Sequence, residues 1–167
     1  MISAHNPSDI DRFFRGLTEY AFHTRLGIVD PPLVDYVSLL LVRFLRTEPA
    51  VPSRGSAAVV SADVARLLVE AAGQRTSAEA RAECRHIGDL TLFWSGLYPE
   101  ALRRVDTPGC ADRRTAYREM GKRAYRLASV LEPADAADAR RLFEQLSDEY
   151  DLCVEGLSEV RRIWGEG

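Results

Sequence analysis

The sequence predicts an all-α, single-domain bundle of five to six helices with a long C-terminal helix. Three observations carry that prediction. Apolar residues return every three or four positions along most of the chain, the repeat of a helix with one face turned inward. The periodic stretches are bracketed by helix start and stop residues, Ser, Thr or Asp at the front and Gly or Pro behind. No internal repeat and no low-complexity linker divides the 167 residues, a length that fits one domain, 1–167, and can bury a core without disulfides or metals.

The first helix starts at Ser8, with Asp11 three residues on as a variant of the capping box. Its stripe is Ile10, Phe13, Phe14, Leu17 and Ala21, and Gly27 is the stop. Asp30-Pro31 reads as an N-cap followed by a proline at the first helical position. The helix it opens, to Thr47, carries Leu33, Val34, Val37, Leu40, Leu41, Phe44 and Leu45. So wide an apolar arc belongs between layers or at a subunit contact. Residues 48–60, with Pro49, Pro52 and Gly55, read as a loop with a short extended piece at 57–60. Ser61 caps a short helix to Val69, closed by Gly73. Thr76 with Glu79 opens the helix that runs through Phe93 and Trp94 to the Gly96–Pro99 region. A helical turn after Pro99 and a loop at Thr107-Pro108-Gly109 lead to a helix capped by Asp112. Its inner face is Tyr117, Met120, Gly121, Ala124, Leu127, Ala128 and Leu131. Pro133 then opens one long helix to Trp164, with a seam of Leu142, Phe143, Leu146, Tyr150, Cys153, Val154, Leu157, Val160 and Trp164.

Composition narrows the function classes. The net charge is −3 and acids and bases are interspersed, so no basic block marks a nucleic-acid or anionic-membrane footprint. The longest apolar run, Val37 to Val42, falls far short of the roughly 20 residues a membrane helix needs. Cys84, Cys110 and Cys153 form an odd, widely spaced set with no CxxC, and no charged-then-apolar leader is seen at the start. The expected compartment is the cytoplasm, with the thiols reduced.

The stretch Glu83 to Glu100 is the first place to look for a site. It sets one of three histidines and one of two tryptophans into an apolar stripe, where an unpaired polar group is costly. Glu83 and His86 are three apart and share a helix face with Ile87, Leu90, Trp94 and Leu97, a face expected to point inward. Carboxylate-bridged metal bundles use this Glu-x-x-His spacing, but in two copies with two further Glu, and this chain has one. Glu19 and His23, four apart, and Glu149 are further candidate ligands. Imidazole with carboxylate suits iron, manganese or zinc. The plainer reading makes His86 a hydrogen-bonded core residue. Asp89, one turn on, would orient its imidazole, whether for structure or as a polar site pair. No nucleophile elbow, phosphate loop, zinc spacing or calcium loop is present. Tyr117, Lys122 and Tyr125 lack dehydrogenase spacing, and Phe93, Trp94, Tyr98 and Trp164 read as core aromatics.

The runs FFRGLTEYAFHTRLGIVDPPLVDYVSLLLVRFL, RHIGDLTLFWSGLYPEALRR, GKRAY and LSDEYDLCVEGLSEVRRIW resemble a group of uncharacterised bacterial proteins and cover most of the chain. The resemblance implies a bacterial, cytoplasmic origin and transfers no activity, cofactor or site residue. The leading expectation is therefore a non-enzymatic helical protein acting through protein contacts, as a homo-oligomer or a subunit of a bacterial assembly, without nucleic acid or membrane. The alternative is a metal-dependent enzyme or metal-binding bundle built on Glu83 and His86.

Overall fold

The computed structural model describes residues 7–47, 76–103 and 113–166. Seven α-helices account for nearly all of them: α1 (Pro7–Tyr20), α2 (Pro31–Thr47), α3 (Ser77–Leu97), α4 (Pro99–Arg103), α5 (Arg113–Leu131), α6 (Ala137–Asp148) and α7 (Tyr150–Glu166). No strand occurs among the described residues, so the all-α reading holds. The expected helix 61–69 with its Ser61 cap and Gly73 stop, the loops at 48–60 and 107–109, and the Asp112 cap lie outside the described residues.

Local chemistry explains the boundaries. Pro7 stands at the first position of α1, where a missing N–H costs nothing. α1 continues through a π-helical turn, Ala21–Leu26, closed by Gly27 at φ 67°, the left-handed conformation that glycine adopts without a Cβ penalty. The Asp30 side chain accepts from the Leu33 amide at 3.2 Å, capping α2 as its sequence predicts. Thr76 accepts from the Glu79 amide at 3.3 Å and starts α3.

The predicted single helix from Pro133 to Trp164 is two. Residues 133–136 form a turn, Ala136 bonding back to Pro133, and α6 begins at Ala137. α6 ends at Asp148, and Glu149 leaves helical geometry at φ −101°, ψ 20° before α7 begins. Ser147 and Asp148, both weak helix formers, turn their side chains across to α5 at this break, Asp148 pairing with Arg126. Ser147 Oγ donates to the Lys122 carbonyl of α5 at 2.9 Å. The apolar seam survives the break, because Phe143, Leu146, Tyr150, Cys153, Val154, Leu157 and Val160 all remain buried. Trp164, expected in that seam, is 42% exposed. The longest described helix is α3, with 21 residues.

α3 is the axis of the bundle. It packs along α5 and α7, α6 closes over α5, and α1 pairs with α2 while its π turn lies on α7. Helices approach closely where the sequence offers glycine. A Cβ on Gly96 would meet Leu157 at 2.5 Å, one on Gly88 would meet the Tyr125 ring at 2.6 Å, and the space above Gly156 is filled by the Phe22 ring. From Thr91 to Leu97 α3 is buried on every side. The wide arc of α2 is covered within the fold. Leu33, Val34, Val37, Leu40, Leu41 and Phe44 are buried and Leu45 partly so, leaving Leu39 as the exposed leucine of the helix.

Candidate functional site

The centre of polar chemistry is Asp89 in the middle of α3, 1% exposed. A buried carboxylate survives only when its oxygens are supplied with donors. Here α2 and α5 supply three. The hydroxyls of Tyr36 and Tyr125 both donate to Oδ1, at 2.7 and 2.8 Å, and Arg43 Nη2 donates to Oδ2 at 2.6 Å. Tyr36 also accepts from Arg85 Nε at 3.1 Å, which makes a chain from Arg85 through Tyr36 to Asp89.

Each partner is placed by its helix. Tyr36 and Arg43 are seven apart on α2 and so share a face. Gly88 provides the space into which the Tyr125 ring slides, so the ring reaches the residue beside it. The Arg85 guanidinium lies over the rings of Tyr36 at 5.3 Å and Phe143 at 5.7 Å, and Arg43 lies over Phe44 at 5.0 Å. Burial, reinforced by the negative charge of Asp89, holds the Tyr36 and Tyr125 hydroxyls well above the usual phenol range. Both therefore remain protonated donors at neutral pH.

A second polar group lies deeper between α3, α5 and α7. The Trp94 indole N–H and the hydroxyls of Ser95, Tyr117 and Tyr150 are buried there, and the Tyr150 hydroxyl lies among those of Thr91 and Ser95. Gly121 opens the space in which Thr91 Oγ1 and the Tyr150 hydroxyl both approach α5. Thr91 Oγ1 itself donates to the Gly88 carbonyl at 2.9 Å.

The residues singled out in the sequence are placed differently from what their spacing suggests. His86 is exposed, because α3 turns Cys84, Ile87, Gly88 and Thr91 inward rather than the face through Glu83 and Leu90. Its ring stacks on Phe44 at 6.4 Å between centroids, with 14° between planes. The pairing of His86 with Asp89 is not formed, since the donors on Asp89 are the two tyrosines and Arg43. Glu83 is half-buried on the same helix. Glu19 pairs with Arg15 at 3.5 Å, His23 is exposed on the π turn, and Glu149 accepts from Gln145 at 3.3 Å. These five are not gathered together: among the described residues no group of three or more His, Cys, Asp or Glu side chains is arranged to hold a metal ion.

Burial raises the pKa of both described thiols, that of Cys153 to about 12, and both are free and enclosed. Neither resembles a reactive thiolate. Cys110 lies outside the described residues. Lys122 is held by Asp151 at 2.7 Å and Glu119 at 3.1 Å, a surface ion-pair group. Among the described residues no helix is long and apolar enough to cross a membrane.

The sequence reading missed Tyr36, Arg43 and Tyr125 as one unit. A usable signal was present: a tyrosine and an arginine seven apart within the apolar arc of α2, and an aspartate beside a glycine in the apolar stripe of α3. No protein-family model matches the chain, and no curated protein or solved structure is similar to it.

Proposed function

We propose that the protein is a non-enzymatic helical module that works through protein contacts, and that its first contact is a second copy of itself, made by the outer face of α1. One observation carries this reading: the face is built around Gly16 with self-complementary edges. A Cβ on Gly16 would have nothing within 4 Å. On one edge stand Phe13 and Tyr20, 55% and 51% exposed, three residues before the glycine and four after it. The Phe13 ring meets Phe14 edge-on at 5.1 Å, and Phe14 meets the half-exposed Trp164 at 5.2 Å, so the aromatic surface continues onto α7. On the other edge stand Arg12 and Glu19, of opposite charge and seven apart.

Two such helices crossing antiparallel at Gly16 bring like edges together. Phe13 of each copy then faces Tyr20 of the other, and Arg12 faces Glu19. The glycine lets the backbones approach closely, and a two-fold contact of this kind closes on itself. The polar interior matches a structural role, because Asp89 is saturated with donors and sealed from solvent.

Light scattering on the purified chain tests the proposal. The expected molar mass at high concentration is twice the 18.6 kDa of one chain, falling on dilution. Phe13→Glu should hold it at one chain while leaving the helical circular dichroism unchanged. A parent chain that stays monomeric at every concentration, or a Phe13→Glu variant that associates like the parent, contradicts it. A heavier species that forms only with an added partner protein would replace self-association with a heterologous contact and also count against it.

A further inference from the structure

A pocket of about 390 Å³ opens between α1, α2 and α3, on the solvent side of the Asp89 network. Its walls carry the guanidiniums of Arg43, Arg46 and Arg85, the single carboxylate of Asp11, and apolar surface from Leu39 and Leu40. We infer that this pocket binds a small organic carboxylate carried on an apolar body.

Arg85 makes the case. Arg43 is held by Asp89 at 2.6 Å and Arg46 by Asp11 at 2.7 Å, so each already faces a carboxylate. Arg85 makes no direct ion pair with a carboxylate among the described residues and feels Asp89 only at a distance, across the Tyr36 hydroxyl. Its Nε donates to the neutral hydroxyl of Tyr36, and its guanidinium lies over the rings of Tyr36 and Phe143. A guanidinium has five N–H donors, and its two Nη groups form a planar fork that matches a carboxylate through two parallel hydrogen bonds. The planar fork is rigid in itself, so little side-chain freedom is lost per hydrogen bond formed. The apolar wall of Leu39 and Leu40 rewards a ligand with a hydrocarbon part, and the volume lies in the range of small-molecule sites. A bare inorganic anion would leave that wall wet. The Gly16 face lies on the other side of α1 from Asp11, so the site is independent of self-association.

Isothermal titration of the full chain with phenylacetate, and with phenylacetamide as its neutral counterpart, tests the inference. Phenylacetate should bind saturably, and the amide at least about tenfold more weakly, as loss of a charged hydrogen-bonded pair implies. Arg85→Gln should weaken phenylacetate by a similar factor, and Arg85→Lys, which keeps the charge but loses the fork, by less. Both variants should keep the parent circular dichroism, since Arg85 is solvent-exposed. Three results would each overturn the inference: no saturable heat at millimolar phenylacetate, equal binding of acid and amide, or an Arg85→Gln variant that binds like the parent.

Discussion

Asp89 shows how much of this interior depends on single atoms. Two phenol hydroxyls and a guanidinium converge on one carboxylate, and each removal leaves an unmet acceptor in a dry site. Tyr125→Phe should therefore destabilise the fold by about 1–3 kcal/mol in urea titration. Tyr150→Phe is the matched control. Its ring is as buried, but its hydroxyl meets only the neutral hydroxyls of Thr91 and Ser95 and no carboxylate, so the change should cost less, about 0.5–1.5 kcal/mol. Equal losses for the two would mean that ring packing, not the bond to Asp89, is being measured. His86 belongs to the opposite category. It is exposed and stacked on Phe44, and His86→Ala should stay within about 0.5 kcal/mol of the parent, the usual range for a surface change. The sequence announced that a polar group sat in the stripe of α3. It could not announce the partners, since Tyr36 and Tyr125 lie 53 and 36 residues away and only the packing of three helices brings them together.

At the scale of elements, caps and periodicity were legible and rotation was not. Asp30 and Thr76 cap where their side-chain chemistry says they should. The apolar stripe of α1 turns inward with one exception: Phe14 and Ala21 are buried, Ile10 and Leu17 pack against the core, and Phe13 points out. That stripe spans about 100° of the helical wheel with Phe13 at its edge, and the packing of α1 on α2 leaves the edge residue outside. The division of the last helix was equally hidden, because the apolar seam runs unbroken across Glu149. Close packing of α3 on α5 through Gly88 gives a sharp test at this scale. Alanine at an ordinary helical glycine gains up to about 1 kcal/mol. At Gly88 the new methyl would sit 2.6 Å from the Tyr125 ring, whose hydroxyl is tied to Asp89, so the ring cannot swing away without breaking that bond. Gly88→Ala should lower stability by about 1–3 kcal/mol, the usual cost of overpacking, as read by thermal melting. A gain in melting temperature would show that α3 and α5 can separate freely.

For the molecule as a whole, buried phenols set an alkaline limit. Burial raises Tyr36, Tyr117, Tyr125 and Tyr150 above the ordinary phenol value. Below about pH 10 these hydroxyls are protonated in both the folded and the unfolded chain, and their contribution to stability is complete. Above it the unfolded chain releases protons that the folded chain retains, so stability falls as pH rises. Tyrosinate absorbance from these four should therefore appear together with loss of helical circular dichroism in one transition. Ionisation of all tyrosines in a chain that keeps its helices would contradict the enclosure described for them.

Self-pairing of α1 is the central functional claim, and charge exchange across its two-fold contact tests it most directly. In the antiparallel arrangement Arg12 of each copy faces Glu19 of the other. Arg12→Glu alone and Glu19→Arg alone each set like charges face to face and should raise the concentration needed for the two-chain species in sedimentation equilibrium. The double variant restores opposite charges and should return that concentration towards the parent value. Single variants that associate like the parent, or a double variant no better than the worse single, would contradict the account.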